Sequence, residues 1–132
     1  MKEHQIQAEI ELGVGALPHV RVFRQNVGQA WVGAAKKSGN IVTIENPRPF
    51  HGGLCKGSSD LIGWRSIRIT PEMVGLDVAV FVAIECKTET GKATAEQVNF
   101  IERVRLAGGL AGIARSVEDA LKIISPDHLL SR

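Results

Sequence analysis

The sequence predicts an α/β fold built as one domain, and three observations carry that expectation. A strand–helix–strand succession spans residues 77–114, the pattern of a parallel crossover unit. Its first strand, "DVAVFVAIECK", is the longest apolar run in the chain and so reads as a central strand. With 132 residues, 44% of them apolar, the chain can bury one hydrophobic core but not two large ones. No linker composition, internal repeat or low-complexity tract divides it, so residues 1–132 are expected to form a single domain.

Taken in order, residues 3–12 predict a helix, with Ile6, Ile10 and Val14 recurring at the helical period. "GVGALPH" ends it. "VRVFRQN" alternates as a strand does, and "AWVGAA" continues or pairs with it. "KKSGN" predicts a turn and "IVTIE" a strand. "NPRPFHGGLCKGSS" is rich in Gly, Pro and Ser and predicts irregular chain. "DLIGW" and "SIRIT" read as short strands, with "PEMVGL" a turn before the central strand. Thr94 and Gln97 form a capping-box pattern for a helix from about Ala95 to Ala107. "LAGIAR" predicts a buried strand, and Ser116 caps a last short helix, "VEDALKII". Residues 125–132 are expected to fray.

Composition narrows the class. Sixteen Lys and Arg against fourteen Asp and Glu give a formal charge of +2 and a pI near 8.7. That is less basic than a domain that only coats DNA, and it suits an enzyme whose carboxylates offset a basic surface. Cys55 and Cys86 form no disulfide framework and no metal-ligand spacing. Cys86, inside the apolar strand, reads as a small buried hydrophobe. "MKEHQIQAEIELG" is too charged for a signal peptide, and no stretch is long and apolar enough to span a membrane. A soluble cytoplasmic protein is expected.

The chemistry concentrates where the apolar run ends. Glu85 and Lys87 stand two apart in a strand and therefore share a face. A carboxylate holds a hard cation, and a neighbouring ammonium orients a water or steadies charge on a phosphate. Asp60, after the small residues of "GGLCKGSS", is the best second carboxylate. The backbone carbonyl of Cys86 is a further oxygen donor. The bland alternative is a turn-capping Asp60 and an ordinary Glu85–Lys87 ion pair.

Together "EHQIQAEI", "VFRQNVGQA", "KGSSDLIG", "VAIECKTETGKATAEQ" and "AGGLAGIARSVEDAL" resemble the VRR-NUC branch of the PD-(D/E)XK nuclease superfamily, over roughly residues 3–123. The resemblance implies a central mixed β-sheet flanked by helices, a restriction-endonuclease-like core. It implies hydrolysis of phosphodiesters with Mg²⁺ or Mn²⁺ by Asp60, Glu85 and Lys87, and it matches Gln97 to the family's glutamine on the following helix. Glu3 is carried over as the first-helix acid of the metal site, ahead of Glu9 and Glu11. Ser59 stands where the superfamily name expects proline. The later Pro126–Asp127 pair has no "ExK" after it and is read as a decoy.

For substrate contact, Arg24, Lys56 and Lys92 are the chosen phosphate-binding residues, with Lys36, Lys37 and Arg48 as weaker candidates. Trp31 and Trp64 read as packing residues more readily than base-stacking ones. The resulting expectation is a structure-selective DNA endonuclease acting on branched or junction DNA, working as a homodimer in a bacterial cell or phage-infected host. The alternatives are a non-catalytic nucleic-acid-binding protein of the same fold, a small metal-dependent nucleotide hydrolase, or an RNA substrate.

Overall fold

The computed structural model describes residues 2–131. The fold is mixed α/β with a β-sheet flanked by helices, as expected of a restriction-endonuclease-like core. Helix α1 (Glu3–Gly15) is followed by strands β1 (Val20–Arg24), β2 (Gly28–Ser38), β3 (Ile41–Gly52), β4 (Leu61–Arg65) and β5 (Val82–Cys86). Helix α2 (Ala95–Leu106), strand β6 (Leu110–Ala114) and helix α3 (Val117–Ile123) complete the main elements. The strands form three hydrogen-bonded pairs, β1 with β4, β2 with β3 and β5 with β6. The chain divides into two compact units, residues 1–17 with 22–63 and residues 18–21 with 64–132.

In the first unit, α1 leads to a long antiparallel hairpin. Gly28 of β2 faces Gly52 of β3 at the open end, and Ser38 faces Ile41 beside the turn. The register shifts between Val32 and Ala34, opposite Asn46, whose φ is +50°. An extra residue on β3 is accommodated there as a bulge. Gly33 must remain glycine at this point, because a Cβ would lie 2.6 Å from the Glu45 carbonyl oxygen. Two expectations change here. Lys36 and Lys37 lie within β2, leaving the turn to Gly39 and Asn40, and "NPRPFHG" is paired strand. Cross-strand partners override the local reading of Pro and Lys.

In the second unit, β5 and β6 run parallel, with Glu85 opposite Ile113 and Cys86 opposite Ala114. The crossover between them is α2, as the strand–helix–strand pattern predicts. Ile101 and Val104 of α2 are buried with Ala111 of β6, and Trp64, Phe81 and Ala83 pack around them. Trp64 stacks at a tilt on Phe81 with ring centroids 5.0 Å apart, and meets Phe100 edge-on at 6.4 Å. Such pairs add stability beyond the area they bury. Helix α2 starts where expected: Thr94 Oγ1 accepts from the Gln97 N–H, and Gln97 Oε1 accepts from the Thr94 N–H.

The second unit departs from the sequence reading in four places. Only residues 82–86 of the apolar run form strand, because β6 offers five partners and no more. The more buried strand of the pair is β6, four of whose five residues are buried, while Cys86 is exposed and not a core residue. "SIRIT" is not strand: the Ser66 N–H donates to the His19 carbonyl, and residues 66–70 run without regular structure to the 3-10 turn Pro71–Met73. The Pro126–Asp127 pair opens a 3-10 turn rather than frayed chain.

Candidate active site

The end of β5 presents a compact polar group. Alternation along the strand puts Glu85 and Lys87 on one face. The Lys87 N–H still donates to the Ala114 carbonyl at 3.1 Å, so the ladder holds its backbone one residue past the strand. Lys87 Nζ lies 3.0 Å from Glu85 Oε1, and Gln97 Nε2 donates to the same oxygen at 2.7 Å. The side chains of Lys87 and Glu85 are only 19% and 28% exposed. One carboxylate oxygen is thus fixed by two donors from different elements. Oε2 has no hydrogen bond among the described residues.

Gln97 does two things at once. Its carbonyl oxygen closes the capping box of α2, and its amide nitrogen holds Glu85. The cap fixes the rotamer that the second bond needs. The sequence offered Gln97 both as a capping residue and as the family's glutamine; the structure shows the cap together with a bond to Glu85.

The loop after β5 is tied to the end of β6. Arg115 Nη1 donates to the Thr88 carbonyl, and to the Glu89 carbonyl at 3.2 Å. Gly91 closes a tight turn by donating to Thr88. Lys92 follows it, exposed to solvent.

In the first unit, Asp60 stands immediately before β4 and is exposed. Its carbonyl accepts from the Gln25 N–H at 2.9 Å, and its carboxylate has no hydrogen-bond partner among the described residues. The loop leading to it is wound around the side chain of Gln25. Gln25 Oε1 accepts from the Leu54 N–H at 2.9 Å, while Nε2 donates to Ser58 Oγ and, at 3.3 Å, to the Ser59 carbonyl. Ser58 Oγ in turn donates to the Cys55 carbonyl. Gly53 adopts φ +84°, and a Cβ there would sit 2.5 Å from the Asn26 carbonyl oxygen. The sequence placed Gln25 in the stretch "VFRQNVGQA" without isolating it as the organiser, since its partners lie 29 to 34 residues away.

The remaining candidates differ. Arg24 is committed to Glu11, with Nη2 2.9 Å from the carboxylate, so the guanidinium chosen for phosphate and one rival to Glu3 neutralise each other. Glu3 is exposed in the first turn of α1, and Lys56 is exposed in the loop before Asp60. One turn after Glu3, Gln7 Nε2 is buried without a partner among the described residues. Glu72, in the 3-10 turn, has its carboxyl held below the ordinary range by its own backbone N–H and the Thr70 hydroxyl.

The family model of the VRR-NUC domain matches residues 48–118, more than half of the chain, and the protein belongs to that family. The matched stretch includes Asp60, Glu85, Lys87 and Gln97. No curated protein and no solved structure gives a match. Nucleases of this superfamily generally use divalent metal ions. Among the described residues, no group of three or more His, Cys, Asp or Glu side chains gathers around a common point. Each donor by itself suits a hard cation: among the described residues, neither Glu85 Oε2 nor the Asp60 carboxylate has a hydrogen-bond partner. Among the described residues no helix is long and apolar enough to cross a membrane.

Proposed function

We propose that the protein is a Mg²⁺- or Mn²⁺-dependent DNA endonuclease that hydrolyses phosphodiester bonds by attack of water. The observation that supports it best is the Glu85–Lys87–Gln97 arrangement, in a chain of a nuclease family. Asp60 and Glu85 are the metal-holding carboxylates, with Glu3 and the Cys86 carbonyl as further oxygen donors. The ion supplies Lewis-acid stabilisation of charge on the phosphate oxygens. Lys87 orients the attacking water or steadies the phosphate, and Gln97 keeps Glu85 turned so that Oε2 is presented outward. Shared attachment of Lys87 and Gln97 to one oxygen makes this orientation stable before substrate arrives, which is the preorganisation that electrostatic catalysis requires.

By likeness to the family, the products carry a 5′-phosphate and the preferred substrates are branched or junction DNA. A homodimer would bring two cutting sites to such a substrate. Phosphate contacts are assigned to Lys56 and Lys92, with Arg24 contributing only if its bond to Glu11 is exchanged.

The test is cleavage of labelled duplex, single-stranded, flap and four-way-junction DNA with Mg²⁺, Mn²⁺ or EDTA, beside Asp60→Ala protein. Metal-dependent cutting that the variant lacks is the expected result. Binding without cutting under every metal would point instead to a non-catalytic binding protein. Hydrolysis confined to mononucleotides would point to a nucleotide hydrolase, and cutting of RNA alone would replace DNA as the substrate.

A further inference from the structure

The β2–β3 hairpin has no obvious place in a hydrophobic core. Every residue of β2 is exposed, and in β3 only Ile44 and Gly52 are even half-buried. Trp31 and Phe50 are 55% and 54% exposed. A two-stranded ribbon open on both faces buries too little to be explained as a stabilising element. Its charge is distinctive. Residues 28–52 carry Lys36, Lys37 and Arg48 against Glu45 alone, a net +2, which equals the formal charge of the entire chain. The other residues therefore balance to zero. Lys36 is 3.2 Å from Glu45, whereas Lys37 and Arg48 have no carboxylate partner among the described residues.

Lys37 and Arg48 lie on opposite faces. Lys37 is six residues from Trp31 in β2, so the two share a face, while Arg48 is paired across the ladder with Val32 on the other. An ordinary docking face would have its charge on one side. Cations on both sides suit an element with phosphates on both sides, as in a nucleic-acid groove. The major groove of B-DNA admits a two-stranded ribbon. The eleven residues of β2 would extend about 37 Å at ~3.4 Å per residue, close to one helical turn of DNA.

A second copy of the chain fits this surface less well. It would bring an identical +2 ribbon against this one, and like charges opposed across strands are destabilising. Pro47 and Pro49 also lie in β3 and have no N–H to offer an added strand.

We propose that the β2–β3 hairpin is a DNA-binding arm that enters a groove of duplex DNA, with Lys37 and Arg48 meeting phosphates on its two sides. Trp31 and Phe50 supply apolar contact to the sugar–base wall between them. The proposal takes its partner class from the nuclease reading above but is read out by binding alone.

The test uses Asp60→Ala protein and a labelled 25-base-pair duplex, with affinity measured by anisotropy from 50 to 200 mM salt. The arm variant adds Lys37→Gln and Arg48→Gln, and a control of equal charge change adds Arg103→Gln and Lys122→Gln. At about 0.9 in log–log salt slope per phosphate contact, losing two contacts should flatten the slope by roughly 1.8 and weaken binding at least tenfold at low salt. The control should keep the slope. Trp31→Ala should weaken binding with the slope unchanged, and the pair Lys37→Arg and Arg48→Lys should restore it. Circular dichroism checks that each variant is folded. Equal affinity and slope for the arm variant and its parent would overturn the proposal, as would a parent that does not bind the duplex. A dimer in sedimentation that Trp31→Glu splits, with DNA affinity per protomer unaltered, would overturn it in favour of self-association. Arm-dependent binding by a wild type that never cuts would leave the arm standing and remove the nuclease reading. Cutting by a protein whose arm variants bind normally would do the reverse.

Discussion

Gln97→Glu separates the two tasks of one side chain. A glutamate in the third helical position still accepts the Thr94 N–H, and the Thr-x-x-Glu form of the capping box is itself favourable. The bond from Gln97 Nε2 to Glu85 Oε1, 2.7 Å long, is replaced by two opposed carboxylates. At about 4 Å between charge centres and an effective dielectric of ~20, their repulsion is about 4 kcal/mol. Lys87 at 3.0 Å and the partial exposure of the pair reduce this to about 1–2 kcal/mol. Glu85 should rotate away, or the site should require more metal to hold it. Tenfold in rate corresponds to about 1.4 kcal/mol, so kcat/KM for DNA cleavage should fall about tenfold, with part of the loss recovered at high Mg²⁺. The melting temperature should stay within a few degrees of wild type. Gln97→Ala loses the cap as well, at about 1 kcal/mol, and should be the less stable of the two. If Gln97→Glu cleaves as wild type while Gln97→Ala does not, Gln97 acts only as a cap and the proposed hold on Glu85 is wrong.

Other perturbations test neighbouring parts of the argument. Lys87→Met should abolish most cleavage, by 100-fold or more, while denaturant unfolding shifts by only about 1–2 kcal/mol, since Glu85 keeps some access to solvent and its bond from Gln97 after the lysine is lost. Gln25→Ala removes the bonds to Leu54, Ser58 and Ser59, each worth about 0.5–1.5 kcal/mol. Hydrogen exchange at the Leu54 amide should accelerate and cleavage should fall, and unchanged exchange would show that the loop holds itself. Gly109→Ala places a Cβ 2.6 Å from Val104 Cγ1 and 2.8 Å from the Phe81 carbonyl oxygen in a buried position. It should cost about 1–3 kcal/mol in chemical unfolding, and a neutral result would mean that α2 packs more loosely than its contacts suggest.

Local rules made several parts legible beforehand. The capping box of Thr94 and Gln97 and the cap at Ser116 involve residues three apart, so the sequence contains both partners at once. The shared face of Glu85 and Lys87 follows from strand alternation alone, and the crossover follows from element order. The full extent of the hairpin was hidden for the opposite reason. Lys36 and Lys37 look like a turn and "NPRPFHG" like irregular chain until each is set against its partner on the other strand.

The sequence by itself determined the family, the α/β class, the helix caps and the chemical identity of the Glu85–Lys87 pair, because these depend on order and short spacing. Tertiary structure decided that both Lys87 and Gln97 hold the same oxygen of Glu85, that Arg24 is spent on Glu11, and that Gln25 organises the loop before Asp60. It also decided that Cys86 faces solvent and that the charged hairpin stands open on both faces. Hydrogen bonds and ion pairs reach only a few ångströms, so side chains a dozen or more residues apart become partners only when the folded backbone has set them side by side.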